Sequence, residues 1–230
     1  MILWKKLPLT INVDSLWKSK DINEWTTALN RYYFTLSDNE YYLEKELENL
    51  NINDIENMNS IEFYEFLYEK YFVWKYNGNF LNNKLKSLSV YKQDDRLDEL
   101  LSIKNNILNA NPLNIKSCLM LVNAIDGVGI AGASGLLALL YPEFFGTVDI
   151  RVVESLKLIQ NFQYSDFLNN ISNPKDLTLD EGYKLIKIMR EKSQELNNLF
   201  NPKSKEELWT PRKIDMILWN QGRGICSFDR

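Results

Sequence analysis

Apolar residues recur every three or four positions along most of this chain, a spacing that places them on one face of an α-helix. The first segment with this pattern covers residues 21–36. A second covers residues 60–76, where Ser60 is the expected N-cap. Two more cover residues 95–108 and 114–125. The pattern therefore predicts a mainly helical first half.

The second half continues in the same way. Residues 165–171 predict a short helix, and residues 178–200 predict a long one that begins with a Thr-x-x-Glu capping box. The last helix is expected to begin with Thr210 as its N-cap and Pro211 in its first position. Residues 7–13 are the best candidate for a strand. The predicted fold class is all-α.

Residues 124–156, AIDGVGIAGASGLLALLYPEFFGTVDIRVVESL, contain the most informative segment. A helix should stop at Asp126-Gly127, because glycine tolerates positive φ at a helix end. Gly129 then permits a second unusual turn, and a new helix should begin near Ile130. We call residues 125–129 the glycine turn. The backbone N–H groups that follow it form a helix N-terminus that attracts phosphate.

Two further features belong to this segment. The small residues of 131–135 should let the second helix approach a neighbour closely. Asp149 then stands at the start of another helix, where aspartate is a favoured N-cap. It is also a candidate for a catalytic carboxylate that stays ionised at neutral pH. The two roles are compatible, and the sequence leaves both open.

The segment 112–160 resembles the helix-hairpin-helix motif of the endonuclease III-like DNA glycosylase superfamily. In that family a Leu-Pro-Gly-Val-Gly turn is followed by a catalytic aspartate at the start of a later helix. Here the turn is Ile-Asp-Gly-Val-Gly, and Asp149 lies 22 residues after Gly127. The resemblance implies a two-lobed helical fold that binds double-stranded DNA and flips out a damaged base. It assigns catalysis to Asp149 and phosphate binding to Gly127, Val128, Gly129 and Ala131.

The chain departs from that family in three ways. Ala131 stands where the members that also cleave the strand carry a lysine, so a Schiff base through that position is lost. The four-cysteine iron–sulfur segment is absent. Asp126 replaces the proline of the turn and adds a negative charge beside the expected phosphate site. The resemblance is thus to bacterial members with neither the lysine nor the cluster, and it implies a monofunctional N-glycosylase without a cofactor.

Other residues have both a functional and a structural interpretation. Lys116 and Arg151 are candidates for phosphate contacts, although exposed cations are common on helices. Trp74 and Tyr76 flank Lys75, a combination typical of base stacking with phosphate contact. They are equally suited to a hydrophobic core. The basic residues of the last helix and tail, Arg212 and Lys213 among them, give a local positive excess that would suit a nucleic-acid backbone.

Composition narrows the chemistry further. The chain has 230 residues and no histidine, which excludes Ser-His and Cys-His dyads and His-ligated zinc. Its net charge of −4 disfavours a strongly cationic nucleic-acid binder. The acidic pairs lack the spacing of a metal site, so no metal is expected. With no signal peptide or membrane-spanning run, we expect a cytoplasmic protein without a membrane partner, acting as a monomer.

A change in composition near Pro112 predicts two parts: an N-terminal helical part, 1–111, and a second part, 112–230, with the glycine turn and the C-terminal helices. The N-terminal part is allowed to pack with those C-terminal helices as one lobe. Two functions other than that of a glycosylase remain open. The chain can be a non-catalytic nucleic-acid-binding module that retains the motif, or a helical protein-interaction domain.

Overall fold

The computed structural model describes residues 12–223, and every regular element in this range is helical, which confirms the all-α class. The helices, numbered in chain order, are α1 (Val13–Lys18), α2 (Ile22–Phe34), α3 (Asp38–Glu48), α4 (Ile52–Asn57), α5 (Ser60–Glu65), α6 (Phe72–Lys75), α7 (Gly78–Gln93), α8 (Leu97–Leu108), α9 (Ile115–Asn123), α10 (Ile130–Leu140), α11 (Ile150–Lys157), α12 (Ser165–Asn169), α13 (Leu179–Phe200) and α14 (Pro211–Gly222). A π-helical segment, Phe66–Tyr71, joins α5 to α6. Within the described range no helix is long and apolar enough to span a membrane.

The helix ends follow local capping rules. Thr178 and Glu181 form the expected capping box, and Thr210 caps α14. The N-cap assigned to Ser60 is wrong by one residue. The side chain of Asn59 accepts hydrogen bonds from two N–H groups of the first turn of α5, and Glu62 bonds back to the backbone N–H of Asn59.

The proposed strand is not supported where it can be examined. Residues 7–11 lie outside the described residues. Of the remaining two, Asn12 has an extended backbone but serves as the N-cap of α1, and Val13 is the first residue of that helix. The side chain of Asn12 accepts from the Ser15 N–H, so a local cap decides the conformation here.

Helix α10 forms the centre of the second half. Its residues from Gly132 to Leu139 are all buried, because α10 contacts α9, α13 and α14 on different sides. A helix surrounded in this way is apolar all round, which explains the continuous run of small and aliphatic residues.

Helix α14 connects the N-terminal helices to the second half of the chain. It packs against both α2 and α11. Trp25 of α2 meets Trp209 with ring centroids 5.9 Å apart, and the Ser155 hydroxyl of α11 donates to the backbone oxygen of Leu218. The N-terminal helices therefore contact the C-terminal ones, while the division of the chain at residue 111 stays a prediction.

Candidate functional site

The glycine turn has one constrained glycine. Gly127 has φ of +85°, as predicted, and a Cβ there would lie 3.0 Å from Ser87 Cβ. The expectation for Gly129 is wrong, because its φ is −89°, which any residue adopts. A Cβ on Gly129 would meet no atom of residues 12–223 within 4 Å. Gly127 makes the turn, whereas Gly129 leaves open space in front of α10.

The N-terminus of α10 carries no side-chain cap. Gly129 is its N-cap, and helix α10 starts at Ile130 as expected, so the N–H groups of its first turn receive no cap from a side chain. The carboxylate of Asp126, whose negative charge was expected beside the phosphate site, pairs with Arg96 at 2.8 Å. Arg96 also pairs with Glu99 at 2.8 Å, so its positive charge is shared and offsets the charge of Asp126 only in part.

The close approach of α10 to a neighbour is confirmed, and the neighbour is the aromatic segment around α6. A Cβ on Gly135 would lie 3.0 Å from the Tyr71 hydroxyl, 3.2 Å from Lys75 Cδ and 3.3 Å from Trp74 Cζ3. A Cβ on Gly132 would collide with the hydroxyl of Tyr76. The two glycines thus bring Lys75 against α10.

Asp149 caps α11 with one of its two carboxylate oxygens. Its Oδ1 accepts hydrogen bonds from the Arg151 N–H at 2.9 Å and the Val152 N–H at 3.1 Å. Its Oδ2 faces Lys75, whose Nζ is 3.7 Å away. The side chain of Asp149 is 19% exposed and that of Lys75 is 8% exposed. The cap fixes the carboxylate and directs the second oxygen towards a buried amine.

Two side chains hold the loop that precedes Asp149. The Val148 N–H donates to the Ser134 hydroxyl of α10 at 2.9 Å, and the Thr147 N–H donates to Asp215 Oδ2 at 2.6 Å. Ser134 and Asp215 are both buried. Hydrogen bonds on two successive residues leave Asp149 little positional freedom.

Asp215 belongs to a larger buried cluster. Arg212 pairs with Asp215 Oδ1 at 2.5 Å and with Glu44 of α3. Glu44 also accepts from the Tyr32 hydroxyl at 2.6 Å and from the Trp74 indole N–H at 2.6 Å. We call these five residues the buried ion network. It links α2, α3, α6 and α14 to the loop before Asp149.

Burial and charge set the ionisation of this region. Burial raises the pKa of Asp215 to about 7, against the lowering effect of Arg212 and of the Thr147 N–H. Burial alone would lower the pKa of Arg212, but Asp215 and Glu44 raise it well above its ordinary value. Burial also lowers the pKa of Lys75, although Asp149 and Asp215 oppose that effect. A lysine held in this way loses its proton more readily than one in water.

The other predicted residues lie around this centre. The guanidinium of Arg151 stacks over Trp219, 4.2 Å from the ring centroid. Trp74 is half-buried within the network, and Tyr76 has a buried hydroxyl without a hydrogen-bond partner in the described part of the chain. Val128 is buried and Ala131 is half-buried. Base stacking and phosphate contact by these residues stay predictions.

Lys116 and the C-terminal basic residues occupy different surroundings. Lys116 pairs with Asp180 at 2.5 Å and lies over the Tyr183 ring. The expectation that Arg212 contributes to a basic surface is wrong, because its side chain is buried between Glu44 and Asp215. The expected basic excess is reduced accordingly.

Sequence reasoning missed the helix that packs against the glycine turn. The backbone oxygen of Lys84 in α7 lies next to Gly127, while its Nζ is 4.9 Å from the Phe80 ring centroid and 5.7 Å from that of Tyr76. Phe80 is largely exposed. Helix α7 was not predicted from the sequence, so its contact with the glycine turn could not be predicted either.

An open depression of about 520 Å³ lies at the N-terminus of α9, lined by residues that include Leu113, Lys116 and Tyr183. Asp149 does not line it. Among the described residues, no three acidic or sulfur side chains are arranged to hold a metal ion. The Asp149 and Lys75 pair is therefore the arrangement with the clearest chemistry.

Comparisons with known protein families, with curated proteins and with solved structures found no match to this chain.

Proposed function

We propose that this chain binds double-stranded DNA and hydrolyses the N-glycosidic bond of a damaged base, with Asp149 as the catalytic carboxylate. The observation that carries the proposal is that the two carboxylate oxygens of Asp149 have different neighbours. Its Oδ1 accepts hydrogen bonds from the two N–H groups that it caps, whereas its Oδ2 lies 3.7 Å from the Nζ of Lys75. A carboxylate held in place by its own helix needs little reorganisation to stabilise a charge that develops nearby.

The chemistry asked of Asp149 is electrostatic. Loss of a base from its sugar builds positive charge on C1′, and a fixed carboxylate stabilises that charge and orients or deprotonates the attacking water. A protonated Lys75 beside Asp149 would oppose the stabilisation of positive charge at C1′. Burial lowers the pKa of Lys75 and so weakens this opposition, although Asp149 and Asp215 favour the protonated amine.

The surface beside the glycine turn supplies a means of holding the DNA backbone. The uncapped N-terminus of α10 offers backbone N–H groups to a phosphate. Asp126 pairs with Arg96, which it shares with Glu99, and Lys84 of the adjoining helix α7 adds a cation over the rings of Phe80 and Tyr76. The exposed ring of Phe80 lies beside Lys84, where it can contact a base or fill the gap that a flipped base leaves.

The test compares affinity for a plain duplex with affinity for a duplex that carries a cationic abasic-sugar analogue, using the wild type and Asp149→Asn. The analogue resembles the charged transition state, so a glycosylase should prefer it by orders of magnitude. We expect the wild type to show this preference and Asp149→Asn to lose it while both bind the plain duplex alike. Equal affinities of the wild type for the two duplexes would contradict the proposed chemistry.

One observation favours a second candidate function, that of a nucleic-acid-binding module without catalysis. Asp149 is 19% exposed and Lys75 is 8% exposed, so the pair is largely closed to a base unless the adjoining helices move apart. In that case both duplexes bind equally and with strong salt dependence. Absence of DNA binding at low salt would contradict both candidates and favour the protein-interaction domain.

A further inference from the structure

Asp215 is a buried carboxylate that the chemistry proposed for Asp149 does not use. Its side chain is 1% exposed, and both of its oxygens accept from donors. Oδ1 accepts from the guanidinium of Arg212 at 2.5 Å, and Oδ2 accepts from the Thr147 N–H at 2.6 Å. Thr147 lies two residues before Asp149, so this carboxylate joins helix α14 to the loop that positions Asp149.

The two donors leave no position for a proton on Asp215. An ionised carboxylate accepts at both oxygens, whereas a protonated one carries a hydrogen on one oxygen, which then cannot accept from the group that it faces. Protonation therefore breaks one of the two bonds. The bond to Arg212 is charge-assisted and hence the stronger, and Glu44 holds the same guanidinium from its other side. The bond to the Thr147 N–H is the one that breaks.

The charges around Asp215 favour uptake of a proton. The groups that face it or its partner Arg212 come from four elements besides α14 and are Tyr32 of α2, Glu44 of α3, Lys75 of α6 and Asp149 at the start of α11. When all the acids and bases are ionised, three carboxylates meet two cations, and one buried negative charge is left uncompensated. Such a charge is costly away from water. Burial raises the pKa of Asp215 to about 7, with Arg212 as the main opposing influence.

Glu44 is less suited to take this proton than Asp215. Its donors are the Tyr32 hydroxyl and the Trp74 indole N–H on Oε2, and the Arg212 guanidinium on Oε1. A proton on Glu44 would therefore displace either the charged bond to Arg212 or two neutral donors at once. A proton on Asp215 displaces a single backbone N–H.

Thr147 also carries a group that can accept the new hydrogen. Within residues 12–223 its hydroxyl oxygen is buried and has no hydrogen-bond partner. Buried polar atoms are normally satisfied, so this orphaned hydroxyl is an acceptor without a donor. It belongs to the residue that Asp215 already contacts.

We propose that Asp215 is a pH-sensitive latch, which holds the loop before Asp149 when ionised and releases the Thr147 N–H when it takes up a proton. The proton comes from water and binds a lone pair of Oδ2. The O–H bond so formed donates to the Thr147 hydroxyl in place of the lost N–H bond. Asp149 is therefore held more firmly above neutral pH than below it. This inference does not depend on the proposed function, because the latch acts on Asp149 in the absence of DNA.

The experiment measures hydrogen exchange of the Thr147 amide by NMR across a pH series, without any ligand. The exchange rate is divided by that of the Leu137 amide, which lies in the buried middle of α10 and cancels the general effect of pH. Asp215→Asn mimics the protonated state, because an asparagine side chain accepts at one oxygen only. Asp149→Asn is the matched control, since it removes the neighbouring carboxylate and leaves Asp215 in place.

In the wild type and in Asp149→Asn we expect the Thr147 ratio to rise about tenfold between about pH 8 and about pH 6, as the protonated fraction of Asp215 rises. In Asp215→Asn the ratio should be high at every pH. A wild-type ratio that does not change with pH would overturn the proposal, and so would a pH dependence that persists in Asp215→Asn.

A second measurement covers the case in which Asp215→Asn does not fold. The chemical shift of the Asp215 carboxyl carbon in the wild type should titrate with the same midpoint as the Thr147 ratio. A carboxyl carbon that does not titrate between about pH 5 and about pH 8 would overturn the latch. The DNA-binding test of the proposed function is separate, so either proposal can fail while the other stands.

Discussion

Replacing Asp149 in two ways should separate its cap from its charge. Asp149→Asn retains a capping oxygen, whereas Asp149→Ala leaves the Arg151 and Val152 N–H groups without an acceptor. Loss of an N-cap costs about 1 kcal/mol of stability. Both variants remove the carboxylate that faces Lys75 at 3.7 Å. At that distance the gross attraction is about 4 kcal/mol for an effective dielectric constant of ~20, so the charge is the larger effect.

The charge effect should depend on pH and the cap effect should not. Burial already holds the pKa of Lys75 below its unfolded value, and removal of Asp149 lowers it further. Between the Lys75 pKa of the variant and that of the wild type, only the variant has lost the Lys75 proton in its folded state, while the unfolded chains still bind it. The stability of the variant therefore rises relative to wild type by up to about 1.4 kcal/mol per pH unit in that window.

The assay is urea unfolding of the wild type and both variants across a pH series. Asp180→Asn is the control, because Asp180 is an exposed first-turn aspartate with its own lysine partner. We expect Asp149→Ala to be less stable than Asp149→Asn by about 1 kcal/mol at every pH. Both should approach the wild type as the pH rises. Equal stability of the two variants would refute the cap, and a pH-independent deficit would refute the coupling to Lys75.

Three further outcomes are expected. Gly127→Ala should lower the free energy of unfolding by about 1–2 kcal/mol, because the φ of Gly127 is +85°. Gly129→Ala should leave that free energy nearly unchanged, because the φ of Gly129 is −89°. Equal effects of the two substitutions in urea unfolding would contradict the turn geometry. Arg212→Met should cost about 3–5 kcal/mol by leaving buried carboxylates unpaired, and a neutral result in the same assay would show that the buried ion network is dispensable. Stability should fall above pH 10, because burial raises the pKa of Tyr32 and Tyr71 and only the unfolded chain ionises them there. Each contributes about 1.4 kcal/mol per pH unit, and a free energy of unfolding in urea that does not fall above pH 10 would contradict this.

Local rules made parts of this structure predictable. The cap on α11, the capping box of α13 and the positive φ of Gly127 each depend on residues a few positions apart. The apolar periodicity of 95–108 and 114–125 likewise predicted α8 and α9. Such features follow from backbone sterics and nearby hydrogen bonds, which a sequence displays directly.

The chemistry of the site depends on contacts that no local rule contains. Lys75 and Asp149 come from opposite halves of the chain and meet because Gly135 lets α6 approach α10. Arginines are mostly exposed, so Arg212 was expected at the surface, yet Glu44 and Asp215 bury it. The sequence alone therefore predicted the acid but neither its partner nor the network behind it.

The buried ion network also has a consequence for the order in which the site around Asp149 forms during folding. Glu44 and Arg212 are separated by 168 residues, so their pairing closes most of the chain into one loop. Contacts between residues so far apart in sequence form slowly, because the entropy of loop closure is lost before the contacts that stabilise the fold are made. A nascent chain that still lacks α14 already contains the Asp149 cap but not the Asp215 carboxylate that anchors the preceding loop. The loop before Asp149 should therefore reach its final position only after α14 has been added and has packed.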